Sequence, residues 1–139
     1  MSQYFLSVII PVYNEAQRLP DSMRKLLAFL NNQNYSYEVV VVENGSTDDT
    51  YRVACEFSRL YPNMRVIQEK EKGKGLAVRR GMLEATGEYR FMCDVDFSMP
   101  VTEINRFFPP QLQGYDIAIA SREVAGAVRY NEPAYRHLI

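Results

Sequence analysis

Short apolar segments recur along the chain, and each is bounded by turn-forming or polar residues. They are rich in β-branched and aromatic residues, and their apolar character runs through consecutive positions. This pattern is typical of strands that are covered on both faces of a sheet. The predicted strands are residues 5–10, 37–42, 65–67, 89–93 and 115–120.

Between these segments the spacing of the apolar residues changes to that of helices. Two stripes at helical spacing are formed by Met23, Leu26, Leu27 and Leu30 and by Val53, Phe57 and Leu60. The second helix is expected to begin with a capping box formed by Ser46 and Asp49.

Two further helices are predicted in the second half of the chain. One spans residues 74–86, with Gly87 as its C-terminal stop. A short one begins near Pro100, places Val101, Ile104 and Phe107 on one face, and ends before the two prolines at 109 and 110.

The alternation of strands and helices predicts an α/β fold with an open, mostly parallel sheet and helices on both faces. Ligands of such sheets bind outside the carboxyl ends of the strands, so the loops after the strands are the candidates for a functional site. The last apolar residues, Tyr135, Leu138 and Ile139, are spaced like the start of another helix. We therefore expect the natural protein to continue beyond this chain.

The composition argues against several classes of protein. A hydrophobic content of 47% with 24% charged residues is ordinary for a globular domain, and a net charge of -1 gives no overall attraction to nucleic acid or anionic membranes. The longest apolar runs are too short to span a bilayer. Cys55 and Cys93 show neither metal-ligand spacing nor a disulfide framework, which indicates a reducing compartment.

The loops after the first two predicted strands offer groups that suit a nucleotide. Pro11 fixes the exit of the first strand, and it is followed by the ring and hydroxyl of Tyr13 and the carboxylate of Glu15. After the second strand, Glu43 can accept hydrogen bonds from a ribose or a base, and Asn44 permits a tight turn. Taken alone, the first loop is better explained as a turn that leads into a helix, and in the second a helix cap explains residues 46–49 but does not require Glu43.

The loop after the third strand alternates Lys70, Lys72 and Lys74 with acidic residues and with Gly73 and Gly75. Lysines next to exposed backbone N–H groups at a helix start can hold a diphosphate. A solvated run of charges is the alternative, although glycines are poor choices for it. The segment matches neither the dinucleotide fingerprint, because a valine replaces the third glycine, nor the P-loop.

Two aspartates, Asp94 and Asp96, follow the fourth strand and are separated by a single valine. Carboxylates this close repel one another, which indicates that a positive charge is expected between them. Their oxygens are ligands that Mg²⁺ and Mn²⁺ prefer, and such an ion can bridge to the phosphates of a substrate. An aspartate pair alone is a weak signal; four successive loops facing one crevice are a stronger one.

The ordered set of motifs resembles the inverting family 2 glycosyltransferases with the GT-A fold. The segments that carry the resemblance are "VIIPVYNE", "YEVVVVENGSTDDT", "EKGKGLAVRRGMLEATGEY" and "MCDVDFSMP", and "ASREVAGAVRY" adds to it. Within the family, the chain is most similar to dolichyl- and polyprenyl-phosphate synthases that make lipid-linked glucose or mannose. The resemblance implies a metal-dependent hexosyltransferase that uses a UDP- or GDP-sugar and a polyprenyl-phosphate acceptor at the cytoplasmic face of a membrane.

The resemblance also implies roles for individual residues. Tyr13 and Glu15 would hold the nucleotide, and so would Glu43, which with Asn44 stands where the family usually has two aspartates. Asp94 would contact the nucleotide or its metal, and Asp96 would bind the metal. Arg122 would lie near the sugar diphosphate or the lipid phosphate. Residues 1–139 would form the nucleotide-sugar-binding part of a GT-A domain whose acceptor portion lies outside this chain.

Two other functions remain open at this stage. The same donor chemistry can serve a saccharide hydroxyl acceptor in polysaccharide synthesis, which usually requires a catalytic acidic residue further along the chain. Alternatively, the chain is a nucleotide-sugar-binding module without catalysis, an interpretation that the Glu43–Asn44 departure favours.

Overall fold

Strands and helices alternate through most of the chain, as the apolar pattern predicts. The structure is a computed structural model that describes residues 2–121 and 123–127. Its elements are β1 (Tyr4–Val12), α1 (Leu19–Asn31), β2 (Tyr37–Glu43), α2 (Thr50–Leu60), β3 (Met64–Gln68), α3 (Lys74–Glu84), β4 (Gly87–Met92) and a 3₁₀ helix (Val101–Phe107). The first four predicted strands are therefore confirmed.

The four strands form one parallel sheet in the order β3-β2-β1-β4. In the central pair, Val8 lies opposite Val39 and Ile10 lies opposite Val41. Every residue of β2 is buried, and its run of four valines predicts this burial, although Glu38 and Glu43 are buried with them. Because all strands run in the same direction, the loops after β1, β2, β3 and β4 emerge at one edge of the sheet.

Helix α3 packs closely on one face of β1 and β2. The buried cluster on this face consists of Ile9, Val40, Val42, Ala77 and Ala85. The close approach depends on Gly81, since a Cβ atom there would lie 2.4 Å from a methyl carbon of Ile9. Small residues on α3 thus let the helix backbone approach the sheet.

The opposite face of the sheet is covered by α1 and α2. Side chains alternate between the faces of a strand, so the fully buried Val8, Ile10, Val39 and Val41 point away from the α3 cluster. Helix α1 buries its predicted stripe of Met23, Leu26, Leu27 and Leu30. Helix α2 packs against β2, β3 and α1. The prediction of helices on both faces is confirmed.

The prediction for α2 is wrong in two respects. Leu60 is 74% exposed, and the buried residues of the helix are Thr50 and Ala54, which lie one turn apart. The helix begins at Thr50 after the N-cap residue Asp49, and no side-chain capping bond forms there. The capping box fails because the Ser46 hydroxyl accepts a hydrogen bond from another loop, at the backbone N–H of Asn14.

The role predicted for Gly87 is also wrong. Helix α3 ends at Glu84, and Gly87 is the first residue of β4. A Cβ atom at Gly87 would lie 2.6 Å from the backbone nitrogen of Ser7. Glycine is therefore required by the close approach of β4 to β1, not by the end of a helix.

The chain forms two compact units, Met1–Ile104 and Asn105–Ile139. The first contains the sheet and α1 to α3. In the second, residues 115–120 are not a strand, contrary to the prediction, and Tyr115, Ile117 and Ile119 are 73 to 84% exposed. An apolar sequence forms a strand only where a neighbour takes its backbone hydrogen bonds. The predicted terminal helix lies outside the described residues.

Candidate active site

A cleft of about 430 Å³ lies at the carboxyl ends of β1, β2 and β4, within the first unit. Of the site residues predicted from the sequence, those that line it are Pro11, Tyr13, Glu15, Lys72, Lys74, Asp94 and Asp96. They come from three separate loops. Glu43 does not line the cleft, and Arg122 lies outside the described residues.

The loop after β1 is held by the loop after β2. The backbone N–H groups of Asn14 and Glu15 donate to the hydroxyls of Ser46 and Thr50, at 3.0 and 2.8 Å. The N–H of Thr47 donates back to the Asn14 side-chain oxygen at 2.8 Å. The polar segment that resembled a helix cap therefore supports the backbone beside Tyr13, whose ring is half exposed.

Sequence reasoning missed Arg18, which lines the cleft beside Glu15. Its guanidinium lies 3.3 Å from the Glu15 carboxylate. The signal available in the sequence was their spacing of three residues, which places side chains side by side at a helix start. The pair adds a cation to the wall of the cleft that Tyr13 and Glu15 form.

The structure reverses the roles that the sequence suggested for Glu43, as a ligand-binding residue, and Asn44, as a turn residue. The Glu43 carboxylate is buried, where it accepts hydrogen bonds from the N–H of Ser46 at 2.5 Å and the side chain of Gln68 at 3.3 Å. It therefore holds the turn after β2 and the end of β3. The next residue, Asn44, lines the cleft in its place.

The two aspartates after β4 project into the cleft from a firmly held backbone. Val95 between them is buried, and its carbonyl accepts a hydrogen bond from the Ser22 hydroxyl of α1 at 2.5 Å. One oxygen of Asp94 lies 2.6 Å from the Lys74 ammonium, and one oxygen of Asp96 accepts the N–H of Ser98 at 3.0 Å. Among the described residues, no protein group contacts the second oxygen of either carboxylate.

The residue before this pair is not a nucleophile. Burial, together with the charges of Asp94 and Asp96, raises the pKa of the Cys93 thiol to about 12. The thiol therefore stays protonated at neutral pH. Cys93 acts as an apolar side chain at the end of the sheet.

The aspartate pair fits a hard divalent cation in part. Two carboxylates from one turn supply oxygen ligands, and Mg²⁺ or Mn²⁺ commonly takes its other ligands from phosphates and water. Within residues 2–121 and 123–127, no group of three or more His, Cys, Asp or Glu side chains is arranged to hold a metal. A metal at this place would therefore depend on a substrate to complete its coordination.

No helix in the described part of the chain has the length and apolar character needed to cross a membrane.

Comparisons with known proteins agree with this fold. The chain is 40% identical over 134 residues to a dolichol-phosphate mannosyltransferase of Pyrococcus furiosus, covering 96% of the chain and 38% of that protein. It is 39% identical over 131 residues to a dolichyl-phosphate beta-glucosyltransferase of Drosophila melanogaster, covering 84% of the chain and 40% of the relative. The chain thus spans less than half the length of these relatives.

A solved structure shares the fold. A mannosyltransferase from Pyrobaculum calidifontis, in complex with GDP-Man and Mn²⁺, superposes with a TM-score of 0.58 at 30% identity. The match covers 67% of this chain and 28% of that one. The predicted GT-A fold is confirmed. Residues 7–138 also match the model of glycosyl transferase family 2. The chain therefore belongs to the family 2 glycosyltransferases.

Proposed function

We propose that the full-length protein transfers glucose or mannose from a UDP- or GDP-sugar to a polyprenyl or dolichyl phosphate, with inversion and with a divalent metal. One observation carries the proposal. The cleft gathers an aromatic residue, lysines and an aspartate pair from three loops at the carboxyl edge of the sheet. The names of the relatives from Pyrococcus and Drosophila support the lipid-phosphate acceptor.

In this proposal, opposite walls of the cleft bind the two halves of the donor. Tyr13 offers a half-exposed ring for the base, and Glu15 offers an acceptor for a base or ribose N–H or O–H. Lys72 and Lys74 lie where α3 begins, so their ammonium groups and the positive end of the helix favour a diphosphate.

Asp94 and Asp96 would hold the divalent cation, which supplies Lewis-acid stabilisation of the departing diphosphate when it is bound. Mn²⁺ in the complex of the Pyrobaculum mannosyltransferase supports this assignment. Lys74 balances the charge of Asp94 in the structure. With a diphosphate bound beside the aspartates, the same ammonium would neutralise negative charge as the leaving group forms.

The acceptor chemistry needs little help from a protein base. An oxygen of the lipid phosphate, already anionic at neutral pH, attacks the anomeric carbon as the bond from that carbon to the diphosphate oxygen breaks. The nucleoside diphosphate leaves with the electron pair, and attack from the opposite face inverts the configuration. Positioning and charge stabilisation would therefore provide most of the rate enhancement. Arg122 is proposed to lie near the sugar diphosphate or the lipid phosphate.

Residues 1–139 would form the donor-binding part of the enzyme. The chain spans 38 to 40% of the length of the two relatives, and we propose that other parts of the full-length protein complete the acceptor site. Because the acceptor is a lipid, the full-length protein would act at a membrane surface, at its cytoplasmic face.

The test uses full-length protein and two probes, UDP-glucose and GDP-mannose. Calorimetry with and without Mn²⁺ is expected to show metal-dependent binding of one of them. Asp96→Asn is expected to weaken that binding, whereas Asp21→Asn, at an 80% exposed aspartate on α1, leaves it unchanged. Turnover with a polyprenyl phosphate is followed by mass spectrometry of the lipid product.

Four outcomes contradict the proposal. No binding of either donor by folded protein, or binding that is indifferent to Asp96→Asn, rejects the donor assignment. Turnover only with a saccharide hydroxyl acceptor rejects the lipid phosphate. Binding without turnover on any acceptor favours a nucleotide-sugar-binding module.

A further inference from the structure

A single polar residue, Ser22, interrupts the buried face of α1. That face consists of Leu19, Ser22, Met23, Leu26, Leu27 and Leu30. Ser22 is 6% exposed, and its hydroxyl donates to the carbonyl oxygen of Val95 at 2.5 Å. The two residues are 73 positions apart in the sequence. The helix thus places one buried hydrogen-bond donor against the aspartate turn, residues 94–98.

A serine at this place in α1 is unfavourable unless its hydroxyl has a partner. Alanine is preferred to serine inside a helix, and a buried hydroxyl that makes no hydrogen bond is destabilising. A serine within a helix often bonds back to a carbonyl of its own preceding turn. The hydroxyl of Ser22 instead donates to a distant segment, and only its backbone N–H bonds within the helix, to the carbonyl of Arg18. The hydroxyl therefore serves the aspartate turn rather than α1.

The aspartate turn is otherwise held by bonds within itself. The N–H of Phe97 donates to the carbonyl of Asp94 at 3.2 Å, and the N–H of Ser98 donates to the Asp96 carboxylate at 3.0 Å. Phe97 has a φ of 44°, a left-handed conformation that costs energy in a residue other than glycine and persists only where the surroundings hold it. Within the described part of the chain, Ser22 is the residue of another element that hydrogen-bonds the backbone of this turn.

Helix α1 also supports another wall of the cleft. The carbonyl of Glu15 accepts the N–H groups of Arg18 and Leu19, at 3.1 and 2.8 Å, where the helix begins. Ser22 lies one turn further along the same helix. The start of α1 therefore connects the wall that contains Glu15 and Arg18 with the aspartate turn, and Ser22 makes the second of these connections.

The hydrogen bond acts on the backbone between the two aspartates. The Val95 carbonyl belongs to the peptide unit that leads into Asp96, so rotation of this unit changes the direction of the Asp96 side chain relative to that of Asp94. Without the Ser22 hydroxyl, the carbonyl of a residue that is 4% exposed would lose its donor, and the peptide unit would be free to rotate toward another partner. Metal affinity is sensitive to groups that orient the ligands without touching the ion.

We propose that Ser22 is a positioning residue for the divalent cation, because its hydroxyl orients the aspartate turn so that Asp94 and Asp96 bind one ion together. The inference rests on the proposed function for the presence of this ion and of its diphosphate ligand. Ser22 does not line the cleft, so it acts through the Val95 carbonyl. A helix whose apolar stripe predicts only packing thereby contributes to the metal site.

The experiment compares Ser22→Ala with Ser7→Ala in the full-length protein. Ser7 is fully buried, and its hydroxyl donates to Glu38 at 2.6 Å at the amino end of the sheet, so its variant loses a comparable bond away from the cleft. Calorimetric titration with Mn²⁺ in the presence of UDP and, separately, of GDP gives the Kd of the metal, after subtraction of the heat of Mn²⁺ binding to free nucleotide. Hydrogen exchange is measured for residues 94–98.

Ser22→Ala is expected to raise the Kd of Mn²⁺ by about tenfold and to speed exchange of the aspartate turn. Ser7→Ala is expected to lower the Tm and to leave both of these quantities unchanged. Ser22→Thr retains a hydroxyl and is expected to keep the Kd within threefold of the wild type. If Ser22→Ala does not fold, Ser22→Cys replaces it, since the thiol fills the site but is a weak donor.

The inference is overturned if the folded Ser22→Ala variant leaves either the Kd or the exchange of the turn within twofold of the wild type. It is also overturned if Ser7→Ala raises the Kd of Mn²⁺ as much, because any lost buried bond would then suffice, or if folded Ser22→Thr binds Mn²⁺ as weakly as Ser22→Ala, because the hydroxyl would then be irrelevant.

Failure of the proposed function gives a different result. A wild-type protein that binds Mn²⁺ with neither diphosphate, and that binds neither UDP-glucose nor GDP-mannose, rejects the proposed function and the part of the inference that concerns the metal. Exchange of residues 94–98 in Ser22→Ala then decides alone whether Ser22 orders the aspartate turn.

Discussion

The two ends of the parallel sheet both carry carboxylates, but the surroundings of these carboxylates differ. At the carboxyl end, the Asp94 side chain is half exposed, and it contacts the ammonium of Lys74, a side chain that is itself 61% exposed. At the amino end, Glu38 is 3% exposed and is surrounded by protein donors. One end leaves oxygens available to a ligand, whereas the other uses them within the fold.

The hydrogen bonds of Glu38 join three strands to the segment before β4. One oxygen accepts the Ser7 hydroxyl at 2.6 Å and the N–H and hydroxyl of Thr86 at 2.6 and 3.0 Å. The other accepts Nε of Arg65 at 3.1 Å. The Ser7 hydroxyl in turn accepts the N–H of Gly87 at 2.8 Å. A carboxylate whose two oxygens both accept protein hydrogen bonds stabilises the fold. Asp94 and Asp96 at the other end keep oxygens that can bind a ligand.

The largest effect on stability is expected from Glu38→Ala. The change leaves the Ser7 hydroxyl, the Thr86 N–H and Nε of Arg65 without their acceptor, whereas the guanidinium of Arg65 keeps its contacts with Glu84. We expect a loss of about 3 kcal/mol in the free energy of unfolding, because the fully buried Ser7 hydroxyl loses its partner and the network that joins the strands is broken. Urea denaturation of the full-length protein, followed by a probe within the first unit, measures it.

Two controls define the comparison of the ends. Glu56→Ala removes a half-exposed carboxylate that pairs with Arg52 on α2, and it should change the free energy of unfolding by about 0.5 kcal/mol or less. Asp96→Asn removes a charge from the carboxyl end and should not lower stability, since it relieves repulsion with Asp94. If Asp96→Asn lowers the free energy of unfolding as much as Glu38→Ala does, the carboxylates at both ends stabilise the fold, and the proposed difference between the ends is wrong.

The next largest effect is expected from an added methyl group at each end. In Gly87→Ala the new Cβ would lie 2.6 Å from both the backbone nitrogen and the hydroxyl of Ser7. We expect a loss of about 1 to 3 kcal/mol, because the strands must separate. In Gly75→Ala, at the start of α3, no atom lies within 4 Å of the new Cβ.

Gly75→Ala is therefore expected to stabilise by about 0.5 to 1 kcal/mol, as alanine is preferred to glycine in a helix. Thermal melting of Gly87→Ala and Gly75→Ala beside the wild type shows whether each substitution raises or lowers the stability. Equal and negative effects would show that the carboxyl end is as tightly packed as the amino end.

The fold of the first unit was largely predictable from the sequence. The central strands β1 and β2 are mostly apolar, as expected for strands that are covered on both faces, whereas the edge strands β3 and β4 are shorter and carry charged residues. Residues 115–120 have the same kind of sequence and yet form no strand. Apolar content indicates a segment that can be covered, but it does not identify the neighbour that covers it.

The grouping of the site residues followed from one topological rule, since loops after parallel strands meet at one edge. The assignment of Glu43 to the cleft did not follow from it, because consecutive residues at a strand end point to opposite sides. Choosing between Glu43 and Asn44 requires the register of β2 against β1 and β3, in which Glu43 pairs with Val12 and Gln68. That register is a property of the folded sheet.

A smaller effect is expected from protonation of Glu38. Burial raises the pKa of Glu38, but the hydrogen bonds from Ser7, Thr86 and Arg65 outweigh it, and the net pKa lies below the ordinary value of 4.5. The carboxylate form therefore stabilises the folded protein above pH 4.5, and this stabilisation is lost as the pH falls through the folded pKa.

The measurement is the free energy of unfolding from pH 6 downward in the wild type and in Glu38→Gln. Since the glutamine cannot titrate, the variant is expected to lose less stability below about pH 4.5 than the wild type. Parallel curves for the two proteins would show that Glu38 does not titrate differently in the folded and unfolded states.

The smallest effect on stability is expected from Lys74→Gln at the carboxyl end. The pair of Lys74 and Asp94 is short, at 2.6 Å, but its side chains are 61% and 48% exposed, so solvent screens it. We expect a change of about 0.5 kcal/mol or less in the free energy of unfolding, and a clear increase in the Kd of the nucleotide sugar if the proposed function holds. Arg52→Gln is the matched surface control, because the Arg52 side chain is 60% exposed, about as much as that of Lys74. It is expected to have no effect on that Kd. A loss of stability comparable with that of Glu38→Ala would mean that Lys74 and Asp94 are part of the scaffold, and the distinction between a ligand-binding end and a fold-stabilising end would have to be abandoned.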